Sequence, residues 1–85
     1  MKLKHEVKLI AALMNKWNLS KYDVIDYWNN GSILVFDESG INEFYKEAFE
    51  GFSHKEIFQA KFDDLKNKRL ITIDGIYFYC EWLGQ

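Results

Sequence analysis

The apolar positions of this chain follow two different periods, which predict four helices and three strands. Apolar residues three and four positions apart are typical of one helix face, whereas alternation or a short continuous apolar run is typical of a strand. The helical spacing gives way to strand patterns twice, after a glycine and near the end. Helices are predicted at about residues 3–17, 20–29, 40–50 and 54–68, and strands at about 33–36, 69–73 and 76–82.

The predicted first helix carries one apolar stripe along its length. The stripe is too short for a coiled coil, which needs more heptads. We therefore expect it to face the core, although it could also join two copies of the chain as a homodimer. Its members are Leu3, Val7, Ile10, Met14 and Trp17.

Capping residues mark the ends of the middle helices. Ser20 is a typical N-cap and is expected to begin the second helix, which Gly31 follows. The third helix is predicted to start at Ser39 or Gly40 and to close at Gly51.

The last predicted helix has a more specific start signal. Ser53 and Glu56 have the spacing of a capping box, in which each residue satisfies an N–H group near the helix start. Phe52, just before the cap, can pack on the first turn as a hydrophobic staple. The apolar residues that follow form one stripe at helical spacing: Ile57, Phe58, Phe62 and Leu65.

The end of the chain predicts a β-hairpin with a defined register. Asp74-Gly75 lies between two runs of β-branched and aromatic residues and favours a two-residue type I′ turn. That turn pairs Ile73 with Ile76, and alternation assigns the remaining side chains to two faces. One face is expected in the core and holds Ile71, Ile73, Ile76, Phe78 and Cys80. The other holds Leu70, Thr72, Tyr77, Tyr79 and Glu81, and it is either covered by the first helix or used for binding.

The order of elements from residue 20 to residue 82 resembles the winged helix-turn-helix family. In that family a short strand joins a two-stranded wing and a helix pair lies between them; here the recognition helix would be residues 54–68. The junction from Leu65 to Ile71 also fits the family's pattern of a leucine, several polar residues and an apolar pair. The resemblance implies DNA binding, for which the candidate residues are Lys55, Gln59, Lys61, Lys66, Lys68 and Arg69.

Charge distinguishes this chain from a typical DNA reader. The formal net charge of the 85 residues is −2, which provides no bulk attraction to nucleic acid or anionic lipid. Asp63 and Asp64 lie in the recognition-helix segment and Asp74 at the wing tip, where DNA readers present donors.

The length of 85 residues indicates one domain, residues 1–85. The predicted elements make it a mostly helical α+β domain, and the resemblance implies a winged-helix-like form. No apolar run approaches the roughly 20 residues of a membrane span, so no membrane partner is expected. The single cysteine fits a reducing compartment such as the cytoplasm. The bias toward Lys, Asn, Ile, Phe and Tyr suggests a bacterial or phage source with AT-rich genes.

The sequence contains no motif for catalysis, a metal or a cofactor. His5, His54 and Cys80 lack partners at the spacing that such sites need. A non-enzymatic protein-binding module, such as an inhibitor, an immunity protein or a modulator of a host factor, is the preferred interpretation; a DNA-binding regulator is the alternative. Tyrosine, tryptophan and a run of glutamates would provide an aromatic and acidic contact surface. The candidate residues are Tyr77, Tyr79, Trp82, Glu43, Glu47 and Glu50.

Overall fold

The computed structural model describes residues 6–80, with side chains from residue 9 onward. Within this range the predicted α+β class is confirmed, and the arrangement is compatible with a winged-helix-like fold. Trp82 and the other predictions at residues 1–5 and 81–85 lie outside the described residues. The elements in chain order are α1 (Glu6–Trp17), α2 (Lys21–Asn29), β1 (Ile33–Phe36), α3 (Glu38–Ala48), α4 (His54–Lys66), β2 (Leu70–Ile73) and β3 (Ile76–Cys80).

The capping box at the start of α4 is confirmed. The Ser53 hydroxyl oxygen accepts the backbone N–H of Glu56 at 3.2 Å, and the Glu56 carboxylate accepts the backbone N–H of Ser53 at 3.1 Å. The two bonds satisfy N–H groups that have no partner within the helix. They therefore fix where α4 begins.

Three helix ends differ from the predictions by two residues. α3 closes at Ala48 rather than at residue 50, with Phe49 as its C-cap at a φ of −116°. α3 begins two residues earlier than expected, because the Asp37 carboxylate accepts the Gly40 N–H at 2.6 Å and acts as the N-cap. α4 ends two residues earlier than expected, because Lys68 adopts a φ of 61°, outside the helical region. The start of α3 and the end of α4 are thus determined by single residues whose local geometry overrides the apolar periodicity.

The three strands form one antiparallel sheet in the order β1-β3-β2. The predicted hairpin register is confirmed, with Ile73 opposite Ile76 and Leu70 opposite Tyr79. The turn residues Asp74 and Gly75 have φ values of 52° and 79°, as a type I′ turn requires. β3 is the central strand, so its two faces decide how the helices pack.

The sheet lies between two helix pairs, and each sheet face has its own apolar cluster. The cluster on the side of α1 and α2 contains Leu13, Trp17, Val24, Ile33, Ile71, Phe78 and Cys80. The cluster on the side of α3 and α4 contains Ile41, Tyr45 and Leu70, with Tyr77 and Tyr79 packed against it. Because both clusters share one sheet, the described residues form a single compact domain.

The structure decides which helices cover the tyrosine-bearing face of the hairpin. α3 and α4 cover it, whereas α1 packs on the opposite face through Leu13 and Trp17. The Trp17 indole N–H also donates to the Lys68 carbonyl at 2.6 Å, which ties α1 to the connection between α4 and β2. The expected alternative, in which the first helix covers the tyrosines, is therefore wrong, and the described part of its stripe is used inside the chain.

Candidate functional site

One side of α4 presents large apolar side chains to solvent. Phe58 is 71% exposed, Phe62 52% and Leu65 39%. Their spacing of four and three residues places them in one row along the helix. The opposite side of α4 is the one that packs on the chain, through half-buried Ile57 and Ala60. α4 therefore has two apolar sides, of which the described residues cover only one.

Two lysines extend this row at its ends. Lys55 lies three residues before Phe58 and Lys66 four residues after Phe62, and both are exposed. We call these two lysines together with Phe58, Phe62 and Leu65 the outward face of α4. The face is apolar in its middle and positively charged at both ends.

The carboxylates of α4 are engaged within the chain rather than on the outward face. Glu56 closes the capping box, and this hydrogen bonding from Ser53 lowers its pKa below the ordinary value. Asp63, at the margin, accepts a hydrogen bond from Gln59 at 2.9 Å. Asp64 points to the opposite side of the helix, toward Tyr45. The positive charge of the outward face is consequently not neutralised by a carboxylate within it.

A polar network fastens the inner side of α4. The Tyr45 hydroxyl donates to the Asp64 carboxylate, and the Arg69 guanidinium lies 3.6 Å from the same carboxylate. Burial, followed by the bond to Asp64, raises the pKa of Tyr45 well above its ordinary value. Tyr45 therefore stays protonated and keeps donating, which holds α4 against α3 and the sheet in one orientation.

An open groove of about 490 Å³ lies beside this network, between α3, α4 and the sheet. Phe44, Phe49 and Tyr79 form part of its apolar wall, and Asp64 and Arg69 part of its polar wall. Tyr45, Asp64 and Arg69 in this wall contact one another, and Asp63 accepts a hydrogen bond from Gln59. These polar groups of the wall are therefore engaged in contacts within the domain.

Two of the tyrosines predicted to form a contact surface are half-buried. The Tyr79 ring centroid lies 5.0 Å from that of Phe44, within the cluster on the side of α3 and α4. The Lys61 ammonium lies 5.1 Å from the Tyr77 ring centroid. Both tyrosines accordingly contribute to packing, and each keeps only part of its surface for a partner.

The predicted acidic residues are all exposed. Glu43 and Glu47 are one turn apart on α3, so they share a face, and Glu50 follows the helix. Lys46 is exposed on the same helix. The structure therefore presents an acidic surface on α3 that is separate from the outward face of α4.

The predicted DNA-contacting residues are not all on one surface. Lys55, Gln59 and Lys66 are exposed on α4, and Lys68 is exposed in the following connection. Lys61 is half-buried and its ammonium donates to the Asn42 side-chain oxygen at 3.1 Å, while Arg69 pairs with Asp64. Lys61 and Arg69 are thus engaged in contacts within the domain.

Sequence reasoning identified the α4 stripe but missed its exposure. Two sets of apolar positions are interleaved in this helix: Ile57 and Ala60 point inward, and Phe58, Phe62 and Leu65 point outward. The adjacent pair Ile57-Phe58 was the available signal, because neighbouring positions are about 100° apart on a helix and a narrow face cannot bury both.

Within the described residues, neither a metal-ligand cluster nor an activated thiol is found. No group of three or more His, Cys, Asp or Glu side chains could hold a metal ion within residues 6–80. Cys80 is buried, and burial raises the pKa of its thiol to about 12, so it is not an activated nucleophile. His54 is exposed. In the same part of the chain, the helices are too short or too polar to cross a bilayer.

Comparison with models of protein families, with curated proteins and with solved structures finds no significant match to this chain. The candidate site therefore has to be judged by its geometry and charge.

Proposed function

We propose that this chain is a small, non-enzymatic protein-binding module of the inhibitor, immunity-protein or host-modulator type. The observation that carries the proposal is the outward face of α4, where Phe58, Phe62 and Leu65 are exposed in one row. Such a row is the arrangement by which a helix anchors itself to a partner surface.

The size of the exposed patch supports a binding role. With roughly 200 Å² for each fully exposed large side chain, the three residues present on the order of 300 Å² of apolar surface. Exposed apolar patches of about 300–600 Å² are the largest found on typical monomers and are often functional. Exposure of two phenylalanines side by side has no structural benefit to the free domain, because their burial would be favourable.

The rigidity of α4 also supports this role. The capping box fixes the start of the helix, and the bond from Tyr45 to Asp64 fixes its inner side. A binding face on an element that is already ordered loses little conformational entropy when the complex forms. The exposed carboxylates of Glu43, Glu47 and Glu50 are a second candidate surface, suited to a basic partner.

A winged-helix DNA-binding regulator is the alternative. Two observations favour it: the strand order β1-β3-β2 with a hairpin after α4, and the exposure of Lys55, Gln59 and Lys66 along α4. Against it, phenylalanine offers no donor to phosphates or base edges, and two of them occupy the middle of the helix that would enter the groove. The wing tip, at Asp74, is negative.

The location and source of the protein belong to the same proposal. One cysteine, buried as a free thiol, fits the reducing environment of a bacterial cytoplasm. The composition supports a bacterial or phage origin.

Affinity capture with matched variants tests the proposal. The wild type, Phe58→Ser/Phe62→Ser and the control Tyr22→Ser, which alters an equally exposed ring on α2 (78% exposed), would each be immobilised and the bound proteins quantified. We expect a protein retained by the wild type and the control but lost with the double variant. Identical retention by all three would contradict the proposal.

A titration with duplex DNA tests the alternative. A DNA-binding regulator should bind duplex DNA at low salt and lose affinity steeply as salt is raised, because phosphate contacts release counterions. We expect no measurable binding at about 50 mM salt, where electrostatic binding would be strong. A steep salt dependence that Lys55→Ala and Lys66→Ala reduce would favour the regulator instead.

A further inference from the structure

We infer that the outward face of α4 binds an amphipathic helix with acidic flanks. This inference rests on the proposed function and names the chemistry of the partner. A partner for this face needs apolar side chains in its middle, to cover Phe58 and Phe62. It also needs carboxylates toward both ends, to pair with Lys55 and Lys66. An amphipathic helix with acidic residues at its flanks carries both sets of side chains along one face.

The dimensions of the face suit a helical partner. At 1.5 Å per residue, the row from Lys55 to Lys66 extends over roughly 17 Å. A partner helix of about three turns matches this length and presents anchors at positions i, i+3 or i+4, and i+7. The row is convex, since it lies along a helix surface, so a second helix can pack beside it ridge against groove.

Charge complementarity selects an acidic partner over a basic one. The outward face carries two exposed lysines, and the α4 carboxylates are engaged by Ser53, Gln59 and Tyr45. A partner with lysine or arginine at its flanks would place like charges together, whereas aspartate or glutamate there would form two ion pairs at the rim. Such rim pairs contribute mainly to specificity and association rate.

The same charges disfavour a second copy of the chain as the occupant. A two-fold antiparallel pairing that brings Phe58 near Phe62 of the other copy also brings Lys55 near Lys66 of the other copy. A parallel pairing sets each lysine against its own counterpart. Both arrangements place like charges at the rim, where a partner with carboxylates would form ion pairs.

An anionic membrane is also a poorer fit than an acidic helix. Two lysines give a weak attraction to an anionic leaflet, about 1 kcal/mol each. The domain as a whole is negative, at −2, and α3 presents exposed glutamates, which anionic lipid repels. A helical partner contacts α4 alone and avoids this repulsion.

Two synthetic peptides test the inference directly. Both would carry the same apolar row of leucines and one tryptophan on a three-turn helix, with glutamate flanks in one and lysine flanks in the other. Binding to the full chain would be followed by backbone amide shifts and by peptide fluorescence anisotropy. We expect the acidic peptide to shift amides of residues 55–66 and to bind about tenfold more tightly than the basic one, in line with rim ion pairs.

Two variants separate the charge from the apolar contact. Lys55→Glu/Lys66→Glu should reverse the preference and favour the basic peptide, and raised salt should narrow the difference between the peptides. Phe58→Ser/Phe62→Ser should abolish binding of both, and the control Tyr22→Ser should leave both unchanged. The amide spectrum of each variant also reports whether it is folded.

The outcomes distinguish this inference from the proposed function beneath it. Equal binding of both peptides, lost with Phe58→Ser/Phe62→Ser, would overturn the acidic preference but leave the α4 docking surface standing. Shifts of the same amides on raising the protein concentration alone would identify a second copy as the occupant, and shifts with phosphatidylserine-containing vesicles but neither peptide would identify a membrane. Each of these results, and the absence of any shift with the acidic peptide, would overturn the inference, whereas affinity capture decides the proposed function separately.

Discussion

α3 and α4 carry similar rows of large apolar side chains, yet the row on α3 is buried and the row on α4 is exposed. On α3, Ile41 and Tyr45 are fully buried. On α4, Phe58 and Phe62 are more than half exposed. α3 lies against the sheet and α4, so its stripe has a surface to cover it. α4 lies at the outside, with its inner side on β2 and α3 and its outer side open within the described part of the chain.

An apolar stripe in the sequence therefore shows that a helix face favours burial, but it does not show which element covers that face. On α3 the stripe is buried within the chain, and this burial stabilises the fold. On α4 no element of residues 6–80 covers the row, and this exposed apolar surface is the one that we propose binds another molecule. If the two rows differ in this way, substitutions in the buried row should lower the free energy of unfolding more than substitutions in the exposed row.

The largest expected effect is on the buried row. Tyr45→Ala removes a buried ring and its hydroxyl bond to Asp64, and should lower the free energy of unfolding by about 3–5 kcal/mol. A domain of this size has a total stability of only about 4–13 kcal/mol, so the variant should be partly or wholly unfolded. Urea denaturation followed by tryptophan fluorescence measures the change.

Tyr45→Phe is the matched control for the hydroxyl alone. It keeps the ring and removes the Tyr45 donor to Asp64, while the Arg69 contact to that carboxylate remains, so we expect a smaller loss of about 1–3 kcal/mol. A Tyr45→Ala variant as stable as the wild type would show that the two rows do not differ as described.

A second comparison lies within α4, between the neighbouring residues Ile57, which is half-buried, and Phe58, which is exposed. Ile57→Ala truncates a half-buried side chain packed against the Tyr45 cluster and should cost about 1–2 kcal/mol, below the 2–5 of a fully buried position. Phe58→Ala should change stability by less than about 0.5 kcal/mol. Thermal unfolding of both variants measures the difference, and equal losses would mean that both sides of α4 face the core.

The N-caps of α3 and α4 should each contribute a smaller and similar amount to stability. Ser53→Ala and Asp37→Ala remove the caps of α4 and α3, and each should cost about 1 kcal/mol. Ser39→Ala, an exposed position inside the first turn of α3, is the control and should cost nothing measurable. A cost for Ser39→Ala as large as that for Asp37→Ala would show that Asp37 does not cap α3.

Ser53→Ala should also change the titration of Glu56. The backbone N–H of Ser53 and, second, its hydroxyl lower the pKa of Glu56. The variant keeps the backbone donor and loses the hydroxyl, so it should return that pKa only part of the way toward its ordinary value. Because the pKa is lower in the folded state, the group adds stability above its unfolded pKa, and this stability is lost as pH falls through the folded pKa. Carboxyl carbon chemical shifts against pH measure the Glu56 pKa; an unchanged value would show that the Ser53 hydroxyl does not contribute to lowering it.

Much of the fold could be predicted from sequence because it is determined locally. The Asp74-Gly75 turn defines the hairpin register, and the Ser53–Glu56 pair defines the start of α4, each through neighbouring residues. The earlier start of α3 was missed because Asp37 competes with Ser39 as the cap. Cover by the first helix was one of the two alternatives for Tyr77 and Tyr79, and α3 and α4 cover them instead. Which helix packs on which sheet face is a long-range property that local patterns do not determine.

The candidate site was harder to predict than the fold, for the same reason. The row of Phe58, Phe62 and Leu65 is visible in the sequence, but its exposure depends on how many elements are available to cover α4. Helical spacing alone cannot distinguish an apolar row that packs inside the chain from one that stays exposed on the surface.

The stability of Phe58→Ser/Phe62→Ser tests most directly whether the outward face of α4 is free for binding rather than part of the core. The measurement is the free energy of unfolding by urea denaturation, compared with the wild type and with Ile41→Ser on the buried row of α3. We expect the double variant to lie within about 1 kcal/mol of the wild type and Ile41→Ser to be strongly destabilised. A loss of more than about 3 kcal/mol in the double variant, as for buried rings, would contradict the account.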